Sequence, residues 1–255
     1  MYLGRLFAAA ALALVLGDTC AAQPTPRVVL VQPSAPEVPA NLLRISIEFA
    51  APVGGAVLPR LALLRADGGP VETPFLEQEL WSPNGKILTI LMHPGRVKTG
   101  LKAREEMGPI LAAGDDVVLV LDGRPIQRWI VGPRNEDGPV PSAWKLSPVS
   151  AGSRQALVVA LDKSIDGRDA GYLAIADSRN RRIDGRAQLK DGERVWTFTP
   201  GLPWRTGEYK LVARGTLEDP AGNRLGGHFE TAIDTPLGPA ADAVITFAVG
   251  SSPFR

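Results

Sequence analysis

A strand pattern that recurs along the chain constrains its fold more than any other feature. Val29-Leu30-Val31-Gln32-Pro33 lines up with Trp144-Lys145-Leu146-Ser147-Pro148. Residues 43–49, alternating apolar and polar, line up with the more uniformly apolar 156–161. Alternation with a period of two is what a half-buried strand requires, because successive side chains point to opposite faces. Leu61-Ala62-Leu63-Leu64 before Asp67-Gly68-Gly69 matches Tyr172-Leu173-Ala174-Ile175 before Asp177, each a strand running into a hairpin turn. Residues 89–95 match 195–201, which puts Ile90 and Met92 on the core where Trp196 and Phe198 face, and 114–120 match 207–212. The expectation is an all-β chain of two tandem immunoglobulin-like β-sandwich domains, 28–140 and 141–250, each with about seven short strands.

Composition supports that reading. The 255 residues include 27 Gly and 23 Pro, too many for long helices, since Pro removes a ladder donor and Gly adds chain entropy. At 45% hydrophobic the chain is too apolar for wholesale disorder. With 28 basic and 27 acidic residues, no net-charge footprint for nucleic acid exists. The sandwiches meet in Gly-Pro-Arg-Asn-Glu-Asp-Gly-Pro-Val-Pro (132–141), whose prolines favour a semi-rigid extended joint. Trp81, Trp129, Trp196 and Trp204 are the large candidates for filling the two cores.

The first residues differ from the rest. Arg5, the apolar run 6–16 and the small-residue end Cys20-Ala21-Ala22 read as a secretory signal peptide, 1–22, followed by a short linker, 23–27. The apolar run is shorter than the roughly 20 residues that span a bilayer. Processing after Ala22 leaves a chain without cysteine; lipidation at Cys20 is the alternative. Both imply export to the periplasm or beyond. Residues 251–255 form a short tail.

Residues 193–225 carry a more specific pattern: the strand Trp196-Thr-Phe-Thr-Pro200, Gly207-Glu-Tyr209 opening the next strand, and the turn Asp219-Pro-Ala-Gly222-Asn223. This resembles the bacterial Ig-like modules of the SbsA type, described in surface-layer proteins. The resemblance covers nearly all of 141–250; the first unit joins it through the internal repeat and lacks the Asp-x-x-Gly-Asn turn. It implies a spacer or adhesion module with no inherited catalytic residue. Tyr209 has a plain structural expectation as well, a buried ring with its hydroxyl on a loop carbonyl.

Candidate binding residues come from the largest departure between the repeats. Pro94 to Gly114 is 20 positions where Pro200 to Gly207 is 7, so the first unit carries an insertion centred on 96–108. Its polar residues, with the adjoining histidine, are His93, Arg96, Lys98, Lys102, Arg104, Glu105 and Glu106, a candidate interaction site on a rigid scaffold. Leu101, Met107 and Ile110 are expected to staple a short helical turn onto the sandwich, and the competing reading is an insertion that caps a strand edge. Asp162, Asp166 and Asp169 invite calcium, but the EF-hand spacing is absent and turn chemistry explains them. Arg179, Arg181, Arg182 and Arg186 are neutralised by nearby Asp177, Asp184, Asp191 and Glu193. No Gly-x-Ser-x-Gly elbow occurs, and the two histidines, His93 and His228, have no catalytic partner legible in sequence. No catalytic residue, metal or cofactor is assigned. The expected role is a non-catalytic spacer or protein-binding module at the cell envelope, its partner an envelope protein or glycan. The alternative is a carbohydrate-binding module using an exposed tryptophan such as Trp144 or Trp204.

Overall fold

The computed structural model describes residues 25–225, 227 and 241–250. The signal segment 1–22 with Cys20, the residue His228 and the tail 251–255 lie outside the described residues.

The chain is all-β and forms two Ig-like sandwiches. In the first, β1 (Val28–Gln32), β3 (Arg44–Phe49), β6 (Ile87–Met92) and β5 (Phe75–Trp81) make one sheet in the order β1-β3-β6-β5. The facing sheet runs β2-β8-β7-β4, from β2 (Glu37–Pro39), β8 (Arg124–Gly132), β7 (Asp116–Leu121) and β4 (Leu61–Arg65). Alternation decides what lies between them. Ile45, Ile47 and Phe49 of β3 meet Leu88, Ile90 and Met92 of β6, and Val117, Leu119 and Leu121 of β7 close the core with Trp129. Between β7 and β8, Asp122 and Gly123 both take positive φ (51° and 73°), the twist-matched two-residue hairpin turn.

The second sandwich repeats the plan. One sheet is β12-β13-β10-β9, built from β9 (Lys145–Leu146), β10 (Leu157–Ala160), β12 (Gly185–Lys190) and β13 (Val195–Pro200). The other is β11-β14-β15, built from β11 (Leu173–Asp177), β14 (Gly207–Ala213) and β15 (Ala243–Val249). Trp196 is stacked on Phe198, and Trp204 meets the edge of Tyr209. The Tyr209 hydroxyl donates to the Arg205 carbonyl at 3.2 Å, the corner contact expected from sequence.

A strand is present in each segment that the repeat aligns, the 89–95 segment ending early at Met92 ahead of a short helix, and Ile90, Met92, Trp196 and Phe198 are all buried as the repeat requires. Three of the four expected core tryptophans, Trp129, Trp196 and Trp204, are buried; Trp81 is half-buried at the core edge against Phe49. Trp144 and Trp204, named as possible sugar platforms, are closed off at 6% and 3% exposure. Their indole N–H groups donate to Asp162 Oδ1 and to the Gln155 carbonyl, both at 2.8 Å. Burying an indole stabilises only when its N–H is paired, and here both are.

Candidate functional site

The insertion folds onto the first sandwich as two short helices, α1 (Pro94–Val97) and α2 (Lys102–Met107). Arg96 is buried, and its guanidinium donates to the carbonyls of Gly108 at 3.0 Å, Pro109 at 3.2 Å and Thr73 at 3.3 Å, with Glu72 closer still. Arg104 donates back to the carbonyls of Arg96 at 2.8 Å and Val97 at 3.1 Å. Both arginines therefore hold the insertion together from within. His93 is half-buried; its carbonyl accepts from the Arg96 and Val97 amides, and its buried Nδ1 makes no hydrogen bond among the described residues. Lys98 is half-buried. Lys102, Glu105 and Glu106 are exposed, with Lys102 and Glu106 pairing along α2 at 3.5 Å. The expected apolar staple is only partly right. Ile110 is buried, but Leu101 and Met107 stand 37% and 47% exposed. Val97 and the Arg96 fork fix the loop where those two do not.

The larger concentration of buried polar groups lies where the sandwiches meet. Arg44, at the start of β3, reaches across the junction. Its Nε faces Asp166 Oδ2 at 3.3 Å and its Nη2 lies against Glu218 Oε2. Burial works against its charge, but Asp166 and Glu218 outweigh it and hold the group ionised. Beside it, the Leu43 amide donates to the Pro220 carbonyl at 2.9 Å. Asp166 and Asp169 sit at the start of a 3₁₀ turn, Gly167–Tyr172, and Asp169 Oδ2 accepts from the Glu218 amide at 2.8 Å.

The connecting segment is gripped from both sides. The Asn135 amide donates to Asn41 Oδ1 at 2.8 Å, and Asn41 Nδ2 returns a bond to the Asn135 carbonyl at 2.9 Å. From the second sandwich, Asn223 Nδ2 donates to that same carbonyl at 2.8 Å and Lys163 Nζ to Asn135 Oδ1 at 3.2 Å. Asn135 Nδ2 in turn donates to Asp219 Oδ2 at 2.6 Å. The Asp-x-x-Gly-Asn turn thus closes on the chain entering its own sandwich. Arg134 ties the same segment to the insertion, donating to the Val97 carbonyl at 3.2 Å.

A third contact comes from the β12–β13 hairpin, where Asp191, Gly192 and Glu193 take positive φ in succession (50°, 63° and 60°). That conformation carries the Glu193 carboxylate to the first sandwich, where it accepts from the Ser34 amide at 2.9 Å and from Gln32 Nε2 at 3.3 Å. Two clefts flank the junction. One, about 740 Å³, lies between the 33–39 segment and Lys163, Gly192 and Arg194. The other, about 370 Å³, is lined by Ser46, Trp81, Thr89 and Arg168. Among the described residues no group of three or more His, Cys, Asp and Glu side chains is arranged to hold a metal ion, and no helix is long and apolar enough to cross a membrane.

The sequence points to Asp166 and Asp169 only as calcium ligands and gives no prominence to Arg44, Asn41, Asn135 or Glu218. The legible signals are the one turn present in only the second unit and the asparagine inside the proline-rich joint.

No protein-family model matches the chain, and no curated protein matches it. Solved structures similar to it include an L,D-transpeptidase from Mycobacterium smegmatis, at 13% identity and a TM-score of 0.28 over 66% of this chain. The chain spans 62% of that protein's length. A titin z1z2 structure in complex with telethonin matches 90% of this chain and all of its own, at 10% identity and a TM-score of 0.25. SGBP-B from a xyloglucan utilization locus of Bacteroides uniformis matches 81% of this chain and 49% of its own, at 13% identity and a TM-score of 0.29. Identities this low assign no activity to the chain.

Proposed function

We propose that the chain is an exported, non-catalytic module of the cell envelope that holds two Ig-like sandwiches in one fixed arrangement, as a structural spacer or a protein-binding module. The observation that supports this reading is the junction. Tandem domains move relative to one another unless their interface holds them. Here a half-buried arginine, a clamped asparagine and a hairpin-borne glutamate each bridge the two sandwiches or the joint between them. A tether needs none of these contacts, whereas a part that sets distance or presents a surface at a set angle needs all of them. The signal-like segment 1–22 supports export, and the resemblance of 193–225 to surface-layer modules points to the envelope. The exposed face of α2, with Lys102, Glu105 and Glu106, is the part of the insertion available to a partner.

Small-angle scattering on the full chain tests the fixed arrangement. A single narrow distribution of interdomain distances is expected, broadening in Arg44→Met. A broad distribution in the unaltered chain defeats the spacer reading.

A further inference from the structure

The β1-β3-β6-β5 sheet carries an ordered set of polar side chains on the face turned away from its core. Gln32, Ser46, Thr89 and Leu80 stand in one row across the strands, and Glu48 faces Ile87 in the next. Alternation puts them opposite Ile45, Ile47 and Phe49, which fill the core. Ser46 and Thr89 are nonetheless buried, because the 3₁₀ turn of the second sandwich lies against this face. A Cβ on Gly167 would collide with the Gln32 side chain, and Arg168 Nη1 donates to Thr89 Oγ1 at 3.4 Å.

This face and that turn line the smaller of the two junction clefts. Its volume of about 370 Å³ is that of a small-molecule site, and such sites favour domain interfaces. Several polar groups in it have capacity left over. Glu48 is half-buried and has no hydrogen bond or ion pair among the described residues. Arg168 reaches Asp166 only at 3.7 Å, and its Nη2 has no hydrogen bond among the described residues. Gln32 donates through Nε2 to Glu193 at 3.3 Å, which leaves its carbonyl oxygen as an acceptor. The apolar part is Leu80, Ile87 and Trp81. Trp81 is fixed in place, its Nε1 donating to Glu79 Oε2 at 2.8 Å and its ring 5.9 Å from that of Phe49.

We propose that this cleft binds a neutral saccharide, with Glu48, Arg168 and Gln32 on its hydroxyls and Trp81, Leu80 and Ile87 on its C–H faces.

The pairing of charges selects the ligand class. A carboxylate and a guanidinium in one cleft work against a ligand of either sign. A hydroxyl donates to the first and accepts from the second, and neighbouring hydroxyls of a sugar ring do both at once. Hydrogen bonds to ionised groups are the stronger kind. The C–H faces of the same ring are apolar and suit an indole, whose face is electronegative. An extended peptide is disfavoured, because β3 and β6 are interior strands whose backbone groups are taken up by their ladders. The Ser46 and Thr89 hydroxyls, 3.2 Å apart, and the fixed Trp81 are ordered before any ligand arrives, which lowers the entropic cost of binding.

Arg168 belongs to the second sandwich, so the site rests on the fixed junction, and the test separates the two. Isothermal calorimetry of the full chain uses cellotriose, maltotriose and tri-N-acetylchitotriose, with trigalacturonate and alanyl-alanine as charged probes. Saturable binding of at least one neutral trisaccharide is expected. Glu48→Ala and Arg168→Ala should each weaken it by about tenfold or more. Circular dichroism and scattering identical to the unaltered chain show that the variants are folded and docked. No binding of any neutral trisaccharide by a chain with a narrow interdomain distribution sinks the site and leaves the fixed arrangement standing. A broad distribution in the unaltered chain, with and without the trisaccharides, sinks both. Affinity that both variants retain puts the ligand elsewhere and overturns the assignment. Tighter binding of trigalacturonate or alanyl-alanine than of every neutral probe overturns the ligand class.

Discussion

Asn135 and Asp219 meet at 2.6 Å, an amide of the connecting segment donating to a carboxylate with no solvent exposure. Asp219 accepts three further bonds, from Asn223 Nδ2 at 2.9 Å, the Ala221 amide at 2.9 Å and the Asn223 amide at 2.8 Å. One side chain therefore shapes the turn and holds the joint. Replacing it strands four donors in a dry site, and each buried unsatisfied group costs roughly 1–3 kcal/mol. Relaxation recovers part of this, so Asp219→Ala is expected to lower unfolding stability by about 3 kcal/mol. Asn135→Ala, which leaves the turn intact, is expected to lower it by about 1 kcal/mol while loosening the junction. Chemical denaturation checks the first figure, and scattering of the second variant checks the loosening.

The close approach of Gly192 to the first sandwich gives a steric test. A Cβ built there would lie 2.7 Å from Ala35 Cβ, and the φ of 63° is one that side chains resist. Gly192→Ala is expected to cost about 1–2 kcal/mol and to open the hairpin contact of Glu193. Gly54, which has nothing within 4 Å of its would-be Cβ, provides the comparison. Gly54→Ala should leave the melting temperature and the scattering curve unchanged. Equal effects from the two substitutions would show that Gly192 tolerates a side chain.

Much of the fold is legible in the sequence because period-two alternation and paired turns are local signals. Ile45, Ile47 and Phe49 declare one face of a strand whatever lies across from it, and the repeat supplies their counterparts Leu157 and Val159. The junction is not legible in this way. Arg44 heads a strand and reads as an ordinary exposed charge; only the tertiary approach of Asp166 and Glu218, more than a hundred residues later, pairs it. Trp144 shows the opposite failure. An aromatic beside a joint looks available, but Asp162, 18 residues on, pairs its N–H and turns it inward. Arg96 stands out in sequence as part of the insertion, yet its acceptors are backbone carbonyls, which have no sequence signature.

Those carbonyls make Arg96 the residue on which the insertion depends. Arg96 is 4% exposed beside Val97 at 3%, so deleting 96–108 removes core as well as surface. Arg96→Met leaves the carbonyls of Gly108, Pro109 and Thr73 without their donor and is expected to cost about 2–3 kcal/mol. Lys102→Ala and Glu106→Ala, on the exposed face of α2, are expected to change stability by less than about 0.5 kcal/mol. The surface pair is therefore the substitution with which partner capture should be assessed. Thermal melts of the three variants check the ordering, and a destabilisation by Lys102→Ala as large as that of Arg96→Met would contradict it.

Two carboxyls that burial raises fix the sign of the pH dependence of overall stability. Asp169 near 7 and Asp219 near 6 both lie above the ordinary aspartate value of 3.8, so the folded chain binds protons that the unfolded chain releases. Their contribution is therefore fully present below about pH 4 and declines as pH rises through 6 and 7, levelling off above. A tenfold tighter hold on one proton is worth about 1.4 kcal/mol, and water penetration reduces the ideal sum, which leaves a decline of about 2 kcal/mol between pH 5 and 8. Asp169→Asn should flatten most of that slope without reversing it, since Asp219 still titrates near pH 6. Urea denaturation at half-unit pH steps makes the measurement. A stability that rises over the same window would mean that the Arg44 attraction outweighs burial at Asp169, and that Asp169 is ionised in the folded chain.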